Sequence, residues 1–284
     1  MERLLVLKSV YATSDGEVSE KLSQKTSIFD SGLLLLGSYV ISLLVSSFFH
    51  ELGHGLAMAS VSINFRLVLN PFSSSMAMPL SPIPSNVLVY VASAGTIFEL
   101  ITGTLFVTIF WRWRNPKLLP LLMIGPSSYL KSAGYFMVGT SLVPDGDTAL
   151  LVAMGIPDIV IQALGIFMLV IGAVLLLLMF PLFGLSKTDS FKRIFTILFL
   201  GLVIHGFGMI LFALLVNPLE LYIGVANVFS MILTTTILTG VFIRSSTFFD
   251  RLSYTELSSL ERKSILQIAG VALALIILEF IFFN

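Results

Sequence analysis

The sequence predicts an all-α polytopic membrane protein of about seven transmembrane helices, with a short re-entrant or β-like segment after the first, and three observations carry that reading. Hydrophobic residues make up 56% of the 284 and charged residues 11%, where an ordinary soluble domain is roughly a quarter charged. Apolar runs of about 20 residues recur from Ser31 to the C-terminus, each long enough to cross a hydrocarbon slab of roughly 30 Å. The basic residues collect in short loops between those runs, as the positive-inside rule arranges them. The lipid bilayer is therefore the expected solvent, and a multi-pass protein of the cell membrane the expected form. Sixteen basic and sixteen acidic side chains cancel, which leaves no field to attract nucleic acid. With no cysteine, thiolate metal sites are excluded, so a transition metal must be held by His, Asp or Glu.

Residues 1–30 carry scattered charges, among them Arg3, Lys8, Glu17 and Lys25, and read as an N-terminal extramembrane segment with no cleavable signal. The first span is expected from about Ser31 to about Val61, longer than one crossing needs. Asn64 to Ser85 then holds Pro71, Pro79, Pro82 and Pro84 and the strand-like Phe65-Arg66-Leu67-Val68-Leu69, a composition for extended chain rather than helix. A second span, about Val87 to Trp111, closes on Trp111-Arg112-Trp113-Arg114, where tryptophan suits the interface and arginine the cytoplasmic side. The third, about Leu118 to Val143, is expected to break at Gly125-Pro126 and stops at Pro144-Asp145-Gly146-Asp147. A new helix is expected from Asp147 or Thr148, with Pro157 separating it from a fourth span that ends near Phe183. Spans five to seven are expected at about Ile194 to Val216, Tyr222 to Ile243 and Ile265 to Phe283. The chain thus divides into the segment 1–30, a core over 31–153 that holds all the candidate chemistry, and additional transmembrane helices over 154–284.

The chemistry centres on His50-Glu51-Leu52-Gly53-His54, near the end of the first span. Two histidines four positions apart on a helix are separated by about 40° and one turn, so both imidazoles reach one ion at about 2.0–2.1 Å. Glu51 lies about 100° from His50, placed to take a proton from an attacking water without ligating the metal. The same pattern on a soluble helix is often a surface ion-pairing accident. Ionisable groups in an apolar span cost several kcal/mol each, which demands a compensating partner such as a metal ion. A tetrahedral zinc site wants a third protein ligand, and Asp145 and Asp147 lie at the end of span three, on the same membrane side as the end of span one. Elsewhere, a lone His205 reads as helix packing, and Lys131 is a candidate partner for Glu99 across spans two and three.

These residues resemble the site-2 protease family of intramembrane zinc metalloproteases. His50-Glu51-Leu52-Gly53-His54-Gly55 is similar to that family's ligand helix, Ser93-Ala94-Gly95 to its small-residue motif, and Pro144-Asp145-Gly146-Asp147-Thr148-Ala149 to the segment that supplies the third ligand. Together the matches cover roughly residues 40 to 153. The resemblance implies zinc as cofactor, His50 and His54 as ligands, Glu51 as the catalytic base, and a transmembrane protein or peptide as substrate. Spacing from Pro144 favours Asp147 as the third ligand, whereas the Asp-Gly pair favours Asp145; the balance falls to Asp147. Gly95 and Glu99 become candidates for contacting substrate, although Glu99 stands where the family usually has Asn, and a role within the helix bundle or as a zinc ligand is also open to it. The family's active site generally lies nearer the cytosol, while the charge count puts the His54 end outside. The rival from another class is a non-proteolytic transporter or metal-binding membrane protein that uses the same His/Asp cluster.

Overall fold

A computed structural model describes residues 27–69, 75–112, 116–142, 146–186, 189–215, 221–244 and 262–283. The first helix, α1 (Ile28–Ser60), starts where Ser27 caps it. The Ser27 hydroxyl accepts from the Asp30 amide, and Asp30 sets its charge in the first turn, where the helix dipole favours it. A left-handed Ser62 (φ 63°) then turns the chain into a hairpin of β1 (Phe65–Val68) antiparallel to β2 (Met76–Pro79), with Phe65 opposite Pro79 and Val68 opposite Met76. This hairpin is the β-like segment expected after the first span. Its proline closes a strand end, where a missing N–H costs nothing.

Helix α2 (Ser85–Trp111) begins directly after Pro84, and after a 3₁₀ turn at Pro116–Leu118 comes α3 (Leu119–Leu142). The expected break at Gly125-Pro126 does not occur: Pro126 lies inside one continuous α3. Proline removes one backbone bond, but the residues after it are held from outside the helix. Ser127 shares a 2.6 Å hydrogen bond with Ser42 of α1, and Ser128 donates to Ser46 at 3.3 Å. These side-chain bonds tie the turn after Pro126 to α1.

Short α4 (Asp147–Ala153) is followed by α5 (Asp158–Met179), which starts after Pro157 and ends in a 3₁₀ turn at Phe180–Phe183 stopped by a left-handed Gly184. Ser190 caps α6 (Phe191–Leu198), which passes through a π turn at Phe199–Val203 into α7 (Ile204–Leu215); α8 (Leu221–Arg244) and α9 (Arg262–Phe283) follow. Four described stretches are long and apolar enough to cross a membrane: Ile28–Ser60, Ser85–Trp111, Asp158–Phe183 and Phe191–Leu211.

The outer surfaces of the helices are apolar, while the interior holds an apolar core together with buried serine, threonine, histidine and glutamate side chains. On α2, Ile97, Ile101, Leu105 and Ile109 form an exposed stripe at four-residue spacing, while Ala92, Gly95, Thr96 and Glu99 are buried. Lipid solvates such a stripe at no cost, and small or polar residues carry the helix contacts. Helix α1 packs against α2 and α3, and also against α9 and the π turn. Its first half joins an apolar core with Phe180, Phe183, Ile194, Leu198 and Phe242, whereas its second half carries the candidate site.

Candidate metal centre

His50 and His54 stand on successive turns of α1, both nearly buried, at 6% and 7% exposure. The end of α1 can approach α2 closely because each helix offers glycine at the crossing. A Cβ on Gly53 would lie 2.6 Å from the Ala94 carbonyl oxygen, and one on Gly95 would lie 2.3 Å from the His54 Nε2. Alanine at either position would push the helices apart or move the imidazole. Gly95 therefore serves the site as the floor beneath His54.

Both rings are held by their Nδ1 atoms. His54 Nδ1 lies 2.7 Å from the Val91 carbonyl oxygen, which can only accept, so that nitrogen carries the proton. His50 Nδ1 donates in the same way to Glu99 Oε2 at 2.8 Å. With Nδ1 protonated, an imidazole in its neutral form keeps its lone pair on Nε2, and the two Nε2 atoms face each other 3.1 Å apart. The third corner is Asp147, the first residue of α4, whose Oδ2 lies 3.2 Å from His50 Nε2 and 3.0 Å from His54 Nε2. Three acceptor atoms this close repel unless a proton or a cation lies among them. A tetrahedral ion with ligands at about 2.0–2.1 Å spaces them about 3.3 Å apart, so the triangle needs only a small expansion to hold one. Among the described residues, His50, His54 and Asp147 are the group that could hold a metal ion.

Of the two aspartates, Asp147 is the one seen at the histidines; Asp145 lies outside the described residues. Asp147 reaches the histidines from the start of α4, where Gly146 takes the extended cap position and Asp147 opens the helix. Glu51 is buried at 6% exposure beside His50 and is not one of the three converging ligands.

Glu99 is fully buried on α2, at the edge of the His50 ring opposite the triangle. It touches His50 Nδ1, not the face where the three ligand atoms converge, and its other oxygen accepts from Ser46 and pairs with Lys131 Nζ at 3.4 Å. Lys131 in turn donates to Ser47 at 3.2 Å. The Lys131–Glu99 pair anticipated from the sequence is formed. Sequence reasoning passed over Ser46 and Val91, although Ser46 stands four residues before His50, one turn away on the same face of α1.

No family model, curated protein or solved structure matches this chain.

Proposed function

We propose that this protein is an intramembrane zinc metalloprotease, similar to the site-2 proteases, that cleaves a peptide bond in or near a transmembrane segment of another membrane protein. The observation that carries the proposal is the triangle of His50 Nε2, His54 Nε2 and Asp147 Oδ2, all within 3.2 Å of one another, with Glu51 buried on the same helix, next after His50 in the chain. Two imidazoles, one carboxylate and no thiolate form a donor set suited to zinc, with a fourth position left for water or substrate. Bound there, zinc supplies Lewis-acid polarisation of the scissile carbonyl and acidifies the attacking water. Glu51 takes the proton of that water as its oxygen bonds to the carbonyl carbon, and delivers the proton to the amine as the C–N bond breaks.

A helical peptide bond is shielded by its own backbone, so the substrate must unwind, and the β1–β2 hairpin beside the end of α1 offers an edge on which an extended segment can pair. In the same reading the chain is a multi-pass protein of the cell membrane with seven crossings. To the four long apolar stretches are added α3, α8 and α9, whose 24, 24 and 22 residues suffice for a slab of roughly 30 Å at about 1.5 Å per residue.

Elemental analysis of detergent-purified protein tests the proposal. About one zinc per chain is expected in the wild type and in Asp145→Asn, and none in His54→Ala or Asp147→Asn. Wild-type protein without metal sinks the reading. Glu51→Gln separates the protease from the transporter or metal-binding alternative: it keeps its zinc and loses cleavage of a reconstituted transmembrane peptide, whereas a transporter needs no general base. Leu67→Pro, which interrupts the hairpin, is expected to abolish cleavage and leave zinc in place; retained cleavage removes the hairpin from the mechanism.

A further inference from the structure

The two candidate histidine ligands are steered by different means. His54 donates to a backbone carbonyl, Val91, which the α2 helix holds rigidly in place. His50 has no such carbonyl and donates to the side chain of Glu99, which has three rotatable bonds of its own. A steering group that moves steers nothing, so Glu99 has to be fixed, and it is. Ser46 and Lys131 both engage Oε1, leaving Oε2 for His50 Nδ1 alone. Ser128 holds Ser46 at 3.3 Å, and Ser47 holds Lys131 at 3.2 Å. Ser46 and His50 grip the two Glu99 oxygens from adjacent turns of α1, and Lys131 reaches in from α3.

This assembly is costly in an apolar interior. A carboxylate and an ammonium taken out of water carry a desolvation penalty that packing residues of similar size avoid. Nothing about joining α2 to α3 requires them, since Gly103 and Gly125 already bring those two helices into close contact. The feature that the charged pair alone supplies is a fixed acceptor at His50 Nδ1.

We infer that Glu99, locked by Ser46 and Lys131, is a positioning residue that fixes the tautomer and ring orientation of His50 so that Nε2 faces His54 and Asp147. The inference rests on the metal-centre reading for its purpose, and on the hydrogen bonds around Glu99 for its content. Glu99 contacts Ser46, His50 and Lys131, and in this role it acts through His50. Groups placed behind a metal-bound histidine in this way typically contribute about 10–100-fold to metal affinity.

The chain has only three histidines, so histidine ¹⁵N resonances of the metal-free protein in detergent can be assigned by single substitutions. The wild type is expected to show His50 protonated on Nδ1. Zinc affinity, measured by competition with a chromogenic chelator, is expected to fall about 10–100-fold in Glu99→Ala while saturating at the wild-type stoichiometry. Glu99→Gln, which keeps an oxygen to accept from Nδ1, is expected to recover most of the loss. An unprotonated His50 Nδ1 in the wild type overturns the inference without need of any variant, and so does a folded Glu99→Ala that binds zinc within twofold of wild type. If the wild type binds no zinc while His50 still carries its proton on Nδ1, the metalloprotease reading fails and the positioning role of Glu99 stands.

Discussion

The two halves of α1 sit in opposite kinds of surroundings. From Leu33 to Leu44 the helix is packed into large apolar side chains, among them Phe180, Phe183, Leu198 and Phe242. From Ser46 to His54 the buried face meets glycine, serine and charge, at Gly95, Ser128, Glu99 and Lys131, with the rings of Phe98, Phe106 and Tyr135 alongside. Large side chains fill space and tolerate adjustment, because a rotamer change closes most gaps. Small residues bring backbones together and leave no such slack, so a neighbour's position is dictated to a few tenths of an ångström. The first half anchors the helix and the second half places atoms. The difference implies that damage to the second half should cost metal binding without unfolding the protein, and damage to the first half the reverse.

The largest effect is expected at Gly95. A valine there has its Cβ within 2.3 Å of the present position of His54 Nε2, so the imidazole must leave the triangle. Gly95→Val is expected to lower zinc affinity at least about 100-fold, beyond what loss of a supporting hydrogen bond achieves. Helical circular dichroism should be unchanged, since the apolar core lies elsewhere on α1. Equilibrium dialysis against buffered zinc measures it, and wild-type affinity would show that the crossing of α1 and α2 has more room than the geometry allows.

Phe180 makes the reciprocal case. It is fully buried and meets the Phe242 ring edge-on with centroids 5.0 Å apart. Phe180→Ala leaves a cavity that the surrounding helices fill only partly, a loss of about 3 kcal/mol. Zinc affinity should stay within twofold of wild type. Unfolding in mixed micelles of increasing denaturing detergent reads the first quantity and chelator competition the second. A large loss of zinc here would mean that the two halves of α1 are coupled and that the division drawn between them is false.

The same division decides what could be read from the sequence. His50 and His54 were legible because their relation is local: four positions on one helix fix their distance whatever the fold. The hairpin was legible in part, since prolines and serines around Phe65–Leu69 exclude a helix, although the pairing of Phe65 with Pro79 required the second strand. Asp145 and Asp147 could not be separated, because the answer depends on which residue opens α4, and Gly146 between them permits either. Pro126 misled for a physical reason. Proline removes a single backbone bond, and packing of α3 against α1, with Ser42 and Ser46 bonded to Ser127 and Ser128, holds it in one helix. Glu99 was hardest. It meets His50 across 49 residues of chain, and the chemistry of a carboxylate alone does not say whether it faces a substrate, a metal or the back of a histidine.

The smallest predicted effect falls on a polar contact inside the apolar half of α1. Ser42 and Ser127 share a hydrogen bond of 2.6 Å at a fully buried contact between α1 and α3, directly beside Pro126. In water such a pair competes with solvent; in lipid it has no competitor, which argues for a strong bond. The unfolded helices in a micelle also find polar partners, and that argues for a weak one. Measured couplings between transmembrane helices favour the second effect, at about 0.6 kcal/mol. A double-mutant cycle of Ser42→Ala and Ser127→Ala, read by detergent unfolding, should return a coupling of that size, with the single changes costing no more than about 1 kcal/mol each. Zinc affinity should not move, since Ser42 is two turns of α1 away from His50. A coupling above about 2 kcal/mol would mean that this bond, rather than glycine-mediated close approach, sets the geometry around Pro126, because it would exceed the usual range for interhelical hydrogen bonds in membranes.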